Sequence, residues 1–183
     1  ADATEVANTD DFCGETPVWS SRDNALYWIN VSAGPGAAVH RLDAGGKVRT
    51  WPMPERIGSV ALKEGGGAIV ALASGVHDLD LDTGAVKMRA PSPLAKDVSL
   101  HEGRCDPSGR FWIGSCHDEF LHTGKRGIGF LFRMDGNKLT PMADNFTVAN
   151  SLAFSNDGRT IYLGDSVTGV IRAWDCDPAP GNL

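Results

Sequence analysis

The stretch GRCDPSGRFWIGS, residues 103–115, has the pattern of a tight β-hairpin. Its polar turn DPSG is flanked by runs that are rich in aromatic and β-branched residues, as in paired strands. Three further segments follow the same plan: PVWSSRDNALYWIN (17–30), SVALKEGGGAIVAL (59–72) and SLAFSNDGRTIYLGD (151–165). The hairpin is therefore one copy of a repeated unit.

The repeat has a period of about 45 residues. Aligning the second strands of the hairpins places Trp28, Val70, Trp112 and Tyr162 in register, at spacings of 42, 42 and 50 residues. A second similar segment follows each hairpin and has an Asp after an apolar residue, at Asp43, Asp80, Asp135 and Asp175. In the first three repeats a further strand-like run comes next, so each repeat holds about four short strands, which is typical of a β-propeller blade.

These features predict an all-β fold, a β-propeller of four-stranded antiparallel blades in a single domain over residues 1–183. Almost no helix is expected, because no segment shows a sustained apolar stripe of period 3.6 with helix caps. A β-sandwich is the alternative, but sandwiches do not predict this self-similarity. The 183 residues correspond to four blades. Their inner strands are predicted near 16–20, 58–63, 102–106 and 150–155.

Composition excludes several classes of function. The net charge of −6 gives no basic surface for nucleic acid, and no apolar run approaches the ~18 residues of a membrane span. We therefore expect the protein to bind neither nucleic acid nor a membrane. We expect it to be a monomer or a small homo-oligomer. Four cysteines occur without CxxC spacing, so a structural zinc site is not indicated. We interpret them as free thiols in a reducing compartment, which predicts a cytoplasmic protein.

One register position is polar in three of the four repeats. Counting back 11–13 residues from the aligned aromatic residues gives Glu15, His101 and Asn150, whereas the second blade has Gly58 or Ser59 there. The innermost strands of a propeller converge on its central channel, where function tends to lie. A carboxylate, an imidazole and an amide suit a divalent cation. Alternatively, these side chains only bond backbone groups at turns.

The segments GETPVW (14–19), HEGRCDPSGRFWIGS (101–115) and VANSLAFSNDGRTIYLGDS (148–166) resemble the senescence marker protein/gluconolactonase/luciferin-regenerating-like family. The resemblance covers essentially the whole chain, in order. It implies a six-bladed propeller, of which this chain has about the first four blades. The domain is accordingly expected to be incomplete at its C-terminal end.

The resemblance also implies a function, a hydrolase that opens sugar lactones to aldonic acids with one divalent metal ion, Ca²⁺, Zn²⁺ or Mn²⁺. It makes Glu15 and Asn150 metal ligands. The family's third ligand, an Asp that acts as general base, belongs to a later blade. The catalytic residue is therefore unknown in this chain, where His101 and Glu119 are the candidates.

The expected substrate-binding residues are Ser99, His101 and Glu119. Ser99 and His101 replace the Arg and Asn of the family's Arg-x-Asn-Asp-Gly segment, which indicates a changed pocket, and Glu119 matches a position that contacts substrate. The alternative to a lactonase is a non-catalytic propeller that acts as a metal-binding regulator or interaction scaffold, because propellers host many functions.

Overall fold

Four antiparallel sheets follow one another along the chain in the computed structural model, which describes residues 2–32 and 34–183. Blade I contains β1 (Gly14–Ser20), β2 (Ala25–Asn30), β3 (Ala38–Asp43) and β4 (Val48–Pro52). Blade II contains β5 (Ile57–Leu62), β6 (Ala68–Leu72), β7 (Gly75–Leu79) and β8 (Val86–Pro91). Blade III contains β9 (Val98–Cys105), β10 (Phe111–His117), β11 (Gly129–Asp135) and β12 (Lys138–Phe146). Blade IV contains β13 (Ala149–Phe154), β14 (Thr160–Asp165) and β15 (Val170–Asp175).

The first strand of each blade is its innermost strand, and these strands pack against one another. At Gly58 in β5, a Cβ atom would collide with the carbonyl oxygen of Leu100 and with the backbone of His101 in β9. The four observed inner strands overlap the predicted ones, so the predicted repeat is confirmed. β9 begins earlier than expected, at Val98, because its pairing with β10 continues past a bulge.

The core consists of apolar layers between neighbouring blades. The layer between blades I and II includes Tyr27, Ile29, Trp51, Ile57 and Val70. The layer between blades II and III includes Val76, Leu100, Phe111, Ile113 and Phe132. The layer between blades III and IV includes Trp112, Leu131, Phe146, Leu152 and Ile161. Blades stacked in this way bury both faces of the middle strands, which explains why every residue of β6 and β10 is buried.

Blade IV has three strands, whereas blades I to III have four. After Asp175 the chain contains Pro178 and Pro180, which have no backbone N–H to pair with β15. This segment lies instead against blade III, where Arg110 donates a hydrogen bond of 2.7 Å to the carbonyl oxygen of Pro178. Only the first three repeats have a further strand-like run in the sequence, and the three strands of blade IV agree with that pattern.

The helix content agrees with the prediction. Among the described residues there is one short helix, α1 (Phe120–Thr123), which follows β10. No helix within residues 2–32 and 34–183 has the length and apolar character needed to cross a membrane.

All four cysteines are free, as the sequence predicted. Cys105 pairs with Phe111 across the β9–β10 hairpin, while Cys116 pairs with Ser99 several residues further along. The rise of the strand separates the two thiols.

Candidate functional site

Each inner strand contains a β-bulge close to the polar register found in the sequence. In blade I the register shifts between Glu15 and Val18, and in blade IV it shifts between Asn150 and Ala153. In blade III the shift covers the segment of β9 that contains His101, and in blade II it falls at Gly58. Bulges bend a strand and re-aim its side chains, and they are frequent next to active sites. The polar position found in the sequence therefore coincides with a repeated distortion of the backbone.

Backbone strain follows two of these polar residues. Thr16 has a φ angle of 52° and Ser151 one of 59°, and they come directly after Glu15 and Asn150. A left-handed conformation is unusual for residues other than glycine, and especially for a β-branched threonine. Such strain persists only where the surrounding structure imposes it, often at functional sites. The two bulges therefore hold Glu15 and Asn150 in defined positions.

Glu15 is partly buried at the start of β1. Its Oε1 atom accepts a hydrogen bond of 3.5 Å from the Sγ atom of Cys13. The Glu15 charge opposes the lowering of the His101 pKa, and it contributes to the raised pKa of Glu102, for which burial is the main cause. Glu15 of blade I thus lies within electrostatic reach of both side chains of β9.

His101 is almost fully buried, with 7% of its surface exposed. Its pKa is lowered from the usual value mainly by burial, with a smaller contribution from the positive charge of Arg56. The Nδ1 atom has no hydrogen-bond partner among the described residues. A buried ring nitrogen without a partner is costly, so this atom is available to an ion, a water molecule or a ligand.

The Asn150 amide is held by its neighbours. Its Nδ2 atom donates a hydrogen bond of 3.2 Å to Ser166 Oγ, and its Oδ1 atom accepts one of 2.8 Å from the backbone N–H of Ser151. An amide oxygen has a second lone pair, which remains available for a cation.

Ser99 and Glu119, two of the predicted substrate-binding residues, have different surroundings in the structure. Ser99 is buried in β9, and its Oγ atom donates a hydrogen bond to Asp118. Glu119 is exposed at the N-terminus of α1, and its side chain makes no capping hydrogen bond. The carboxylate that accepts the hydrogen bond from Ser99 thus belongs to Asp118, and substrate binding by Glu119 stays a prediction.

Sequence reasoning missed both Asp118 and Arg56, which form an ion pair. Asp118 directly precedes Glu119, so the run HDEF signalled an acidic group here but not which of its two carboxylates meets Ser99. Nothing in the repeat pattern signalled Arg56, which precedes β5 in a different blade.

Charged residues from the other three blades affect the pKa of the Cys116 thiol. Burial raises the pKa of this thiol, Arg56 lowers it, and Glu15 and Asp165 raise it further. The Asp165 carboxylate accepts hydrogen bonds from the backbone N–H groups of Thr147, Val148 and Val167, at 2.9, 3.3 and 3.0 Å. Its role is therefore structural.

Within residues 2–32 and 34–183, no three His, Cys, Asp or Glu side chains converge to form a metal site by themselves. Glu15, His101 and Asn150 offer a carboxylate oxygen, an unpartnered imidazole nitrogen and an amide oxygen, which is the chemistry of a partial donor set for a divalent cation. Their assignment to metal and substrate binding stays a prediction.

Comparison with known proteins gives the family. A model of the SMP-30/Gluconolactonase/LRE-like region matches residues 13–183. The chain belongs to the SMP-30/Gluconolactonase/LRE-like family. Its members among the curated proteins include the 6-deoxy-6-sulfogluconolactonase of Pseudomonas putida, 39% identical over 92% of this chain and 57% of the relative. The L-arabinolactonase of Azospirillum brasilense is 35% identical over 98% of this chain and 59% of the relative.

Solved structures agree with the family's fold. Regucalcin from Agrobacterium tumefaciens, described as a calcium-binding protein, superposes with a TM-score of 0.86 at 23% identity, over 97% of this chain and 58% of that one. Luciferin-regenerating enzyme gives a TM-score of 0.83 at 23% identity, over 94% and 58%. The chain thus spans somewhat more than half the length of the SMP-30/Gluconolactonase/LRE-like proteins named here.

Proposed function

We propose that the protein is a metal-dependent hydrolase that opens sugar lactones to aldonic acids. The observation behind the proposal is the bulge in each inner strand of a chain of this family: Glu15 and Asn150 directly precede their bulges, and His101 lies within its own. Relatives that are named as lactonases for a sulfonated gluconolactone and for an arabinolactone support a sugar lactone as the substrate class.

The residues present fit a divalent cation. Glu15 supplies a carboxylate and Asn150 an amide oxygen, and the unpartnered His101 Nδ1 atom would complete a mixed oxygen and nitrogen set. A bound cation supplies Lewis-acid chemistry, which polarises the lactone carbonyl and acidifies water. The description of the Agrobacterium tumefaciens relative as calcium-binding supports such an ion, and the donor set is compatible with Ca²⁺, Zn²⁺ or Mn²⁺.

Hydrolysis adds water across the ring ester bond. The bond between the carbonyl carbon and the ring oxygen breaks, and a carboxylic acid and a hydroxyl group form. His101 and Ser99, both buried in β9, would orient the lactone or the attacking water, because their positions are fixed by the strand. The family resemblance places the proton acceptor, a carboxylate, in a later blade. The proposal therefore concerns a form of the protein that includes this later blade, called here the longest natural form.

The test is acid release from a panel of aldonolactones, with spontaneous hydrolysis subtracted. Turnover of five- or six-membered sugar lactones in the presence of Ca²⁺, Zn²⁺ or Mn²⁺ is the expected result. The second candidate, a metal-binding regulator, is favoured by the calcium-binding relative. Tight metal binding by calorimetry without turnover of any lactone in the panel would favour that candidate instead.

A further inference from the structure

Arg56 reaches the candidate site from blade II, in which the shared register has Gly58 or Ser59. It directly precedes β5, and its carbonyl oxygen accepts a hydrogen bond of 3.1 Å from the backbone N–H of Ala73. Two residues later, Gly58 allows β5 to contact the backbone of Leu100 and His101. This close approach of blades II and III brings the Arg56 side chain beside β9.

Asp118 holds the Arg56 guanidinium in place. Arg56 Nη1 donates to Asp118 Oδ1, and the second carboxylate oxygen accepts a hydrogen bond from Ser99 Oγ. The backbone N–H of Asp118 is itself fixed by a hydrogen bond of 3.1 Å to the carbonyl oxygen of Asp97. The result is a chain of polar contacts, Arg56–Asp118–Ser99, that joins blades II and III.

The pair is ordered but still accessible. The side chains of Arg56 and Asp118 are 22% and 24% exposed. Besides Asp118, the Cys116 thiol lies within hydrogen-bond reach of Arg56, and a guanidinium has five N–H donors, so donors remain for a ligand. The influence of Arg56 on the pKa values of His101 and Cys116 places its charge next to the candidate site.

The charges at this place favour hydroxyl groups over an anion as the ligand. The positive charge of Arg56 is balanced by Asp118, and Glu15 adds a further negative charge nearby. Donors and acceptors side by side suit a hydroxyl group, which both donates and accepts. A neutral ring with several hydroxyl groups meets these conditions.

We propose that Arg56 and Asp118 bind the ring hydroxyl groups of the lactone and set the preference for polyhydroxylated substrates. This inference rests on the proposed lactonase function. It makes Arg56 and Asp118 specificity-determining residues. A site built around hydrogen bonds to a substrate hydroxyl discriminates strongly against an analogue that lacks it.

The experiment compares two lactones that differ in their hydroxyl groups, glucono-δ-lactone and unsubstituted δ-valerolactone. The longest natural form of the protein is used, with Arg56→Met and Asp118→Asn as variants. We expect kcat/KM for gluconolactone to fall about 10- to 100-fold in each variant, because each substitution removes a hydrogen bond that involves a charged group. The change for valerolactone should stay within about threefold. Arg89→Met, which breaks a pair with Asp78 outside the site, is the matched control and should change neither value.

Three results would overturn the inference: equal losses for both lactones, no loss for either, or a selective loss in Glu119→Gln alone. Should a single variant fail to fold because it leaves one charge unpaired, the double variant Arg56→Gln/Asp118→Asn removes both charges. That variant must show the same selective loss.

Failure of the proposed function has a separate signature, namely no turnover of either lactone by the wild-type protein. Binding then tests the inference, with 1,5-anhydroglucitol as a ring that has the hydroxyl groups but no ester bond. We expect Arg56→Met to weaken its binding at least tenfold relative to wild type, measured by calorimetry or ligand-observed NMR. Unchanged binding, or no binding by either protein, contradicts the assignment.

Discussion

Asp106 organises the turn that first indicated the fold. Its carboxylate accepts hydrogen bonds from the backbone N–H groups of Ser108 and Arg110, both at 2.9 Å, from Arg110 Nε at 2.7 Å, and from Trp112 Nε1 at 3.0 Å. Burial raises the pKa of this carboxyl group, but the hydrogen bonds from Trp112 and Arg110 outweigh it, and the pKa lies below its usual value. The residues of the motif DPSGRFW therefore have a structural role, because they stabilise this turn.

We expect Asp106→Asn to lower the free energy of unfolding by about 2–4 kcal/mol, because it removes one charge from a buried, hydrogen-bonded pair. A carboxyl group with a depressed folded-state pKa stabilises the fold above its unfolded pKa of about 3.9. That stability is lost as the pH falls through the folded-state pKa, so the difference between variant and wild type should shrink in acid.

Urea unfolding between pH 3 and pH 8 measures this difference. Asp157→Asn, in the exposed turn of blade IV, is the control and should change stability much less, because Asp157 bonds only the Ser155 hydroxyl and the Arg159 N–H. A pH-independent difference would contradict the role of the Asp106 charge.

The four thiols provide a second prediction at this scale. Burial is the main cause that raises the pKa values of Cys13, Cys105, Cys116 and Cys176. Because the thiolate is the reactive form, we expect each of them to be alkylated more slowly in the folded protein than in urea at pH 8. Peptide mapping by mass spectrometry reads each site. A disulfide peptide from unreduced protein, or equal rates in both states, would contradict the account.

At the scale of elements, Gly58 decides how closely blades II and III pack. A Cβ atom there would meet backbone atoms of Leu100 and His101, which cannot move aside as a flexible side chain can. We expect Gly58→Ala to destabilise the protein by about 2–3 kcal/mol through overpacking. Gly65→Ala, in the open β5–β6 turn, meets nothing within 4 Å and serves as the control. Equal urea midpoints for the two variants would show that the strands do not meet as described.

The inner strands and their polar register could be predicted from the sequence, because the period of the repeat fixes which residues are equivalent. Glu15, His101 and Asn150 were found in this way, and all three lie at bulges. Arg56 was missed because its contact with Asp118 depends on how tightly two blades approach, and a repeat pattern contains no such information.

The contacts of the segment after β15 have a similar explanation. The turn after Asp175 resembles those of the other blades, and the sequence pattern alone did not show that Arg110 and Arg133 bind the carbonyl oxygens of the next segment. Those contacts come from another blade, far away in sequence. Contacts within one repeat were thus easier to predict than contacts between repeats.

For the whole molecule, the proposed site depends on residues from all four blades. Glu15 comes from blade I, Arg56 from blade II, His101 from blade III and Asn150 from blade IV. No blade contains a complete site, so its geometry depends on the apolar layers that join the blades. Mutations in those layers should therefore affect activity as well as stability.

The most direct test of the central proposal is the metal dependence of lactone opening by the longest natural form of the protein. Acid release from glucono-δ-lactone is followed in a pH-stat before chelation, after chelation, and after adding back Ca²⁺, Zn²⁺ or Mn²⁺, with Glu15→Gln in parallel. We expect chelation to lower turnover at least 100-fold and one or more of the ions to restore it. Glu15→Gln should stay inactive at ion concentrations that saturate the wild type, because the substitution removes the carboxylate that this chain supplies at the proposed metal position. Turnover that persists in the chelator, or a fully active Glu15→Gln variant, would contradict the account.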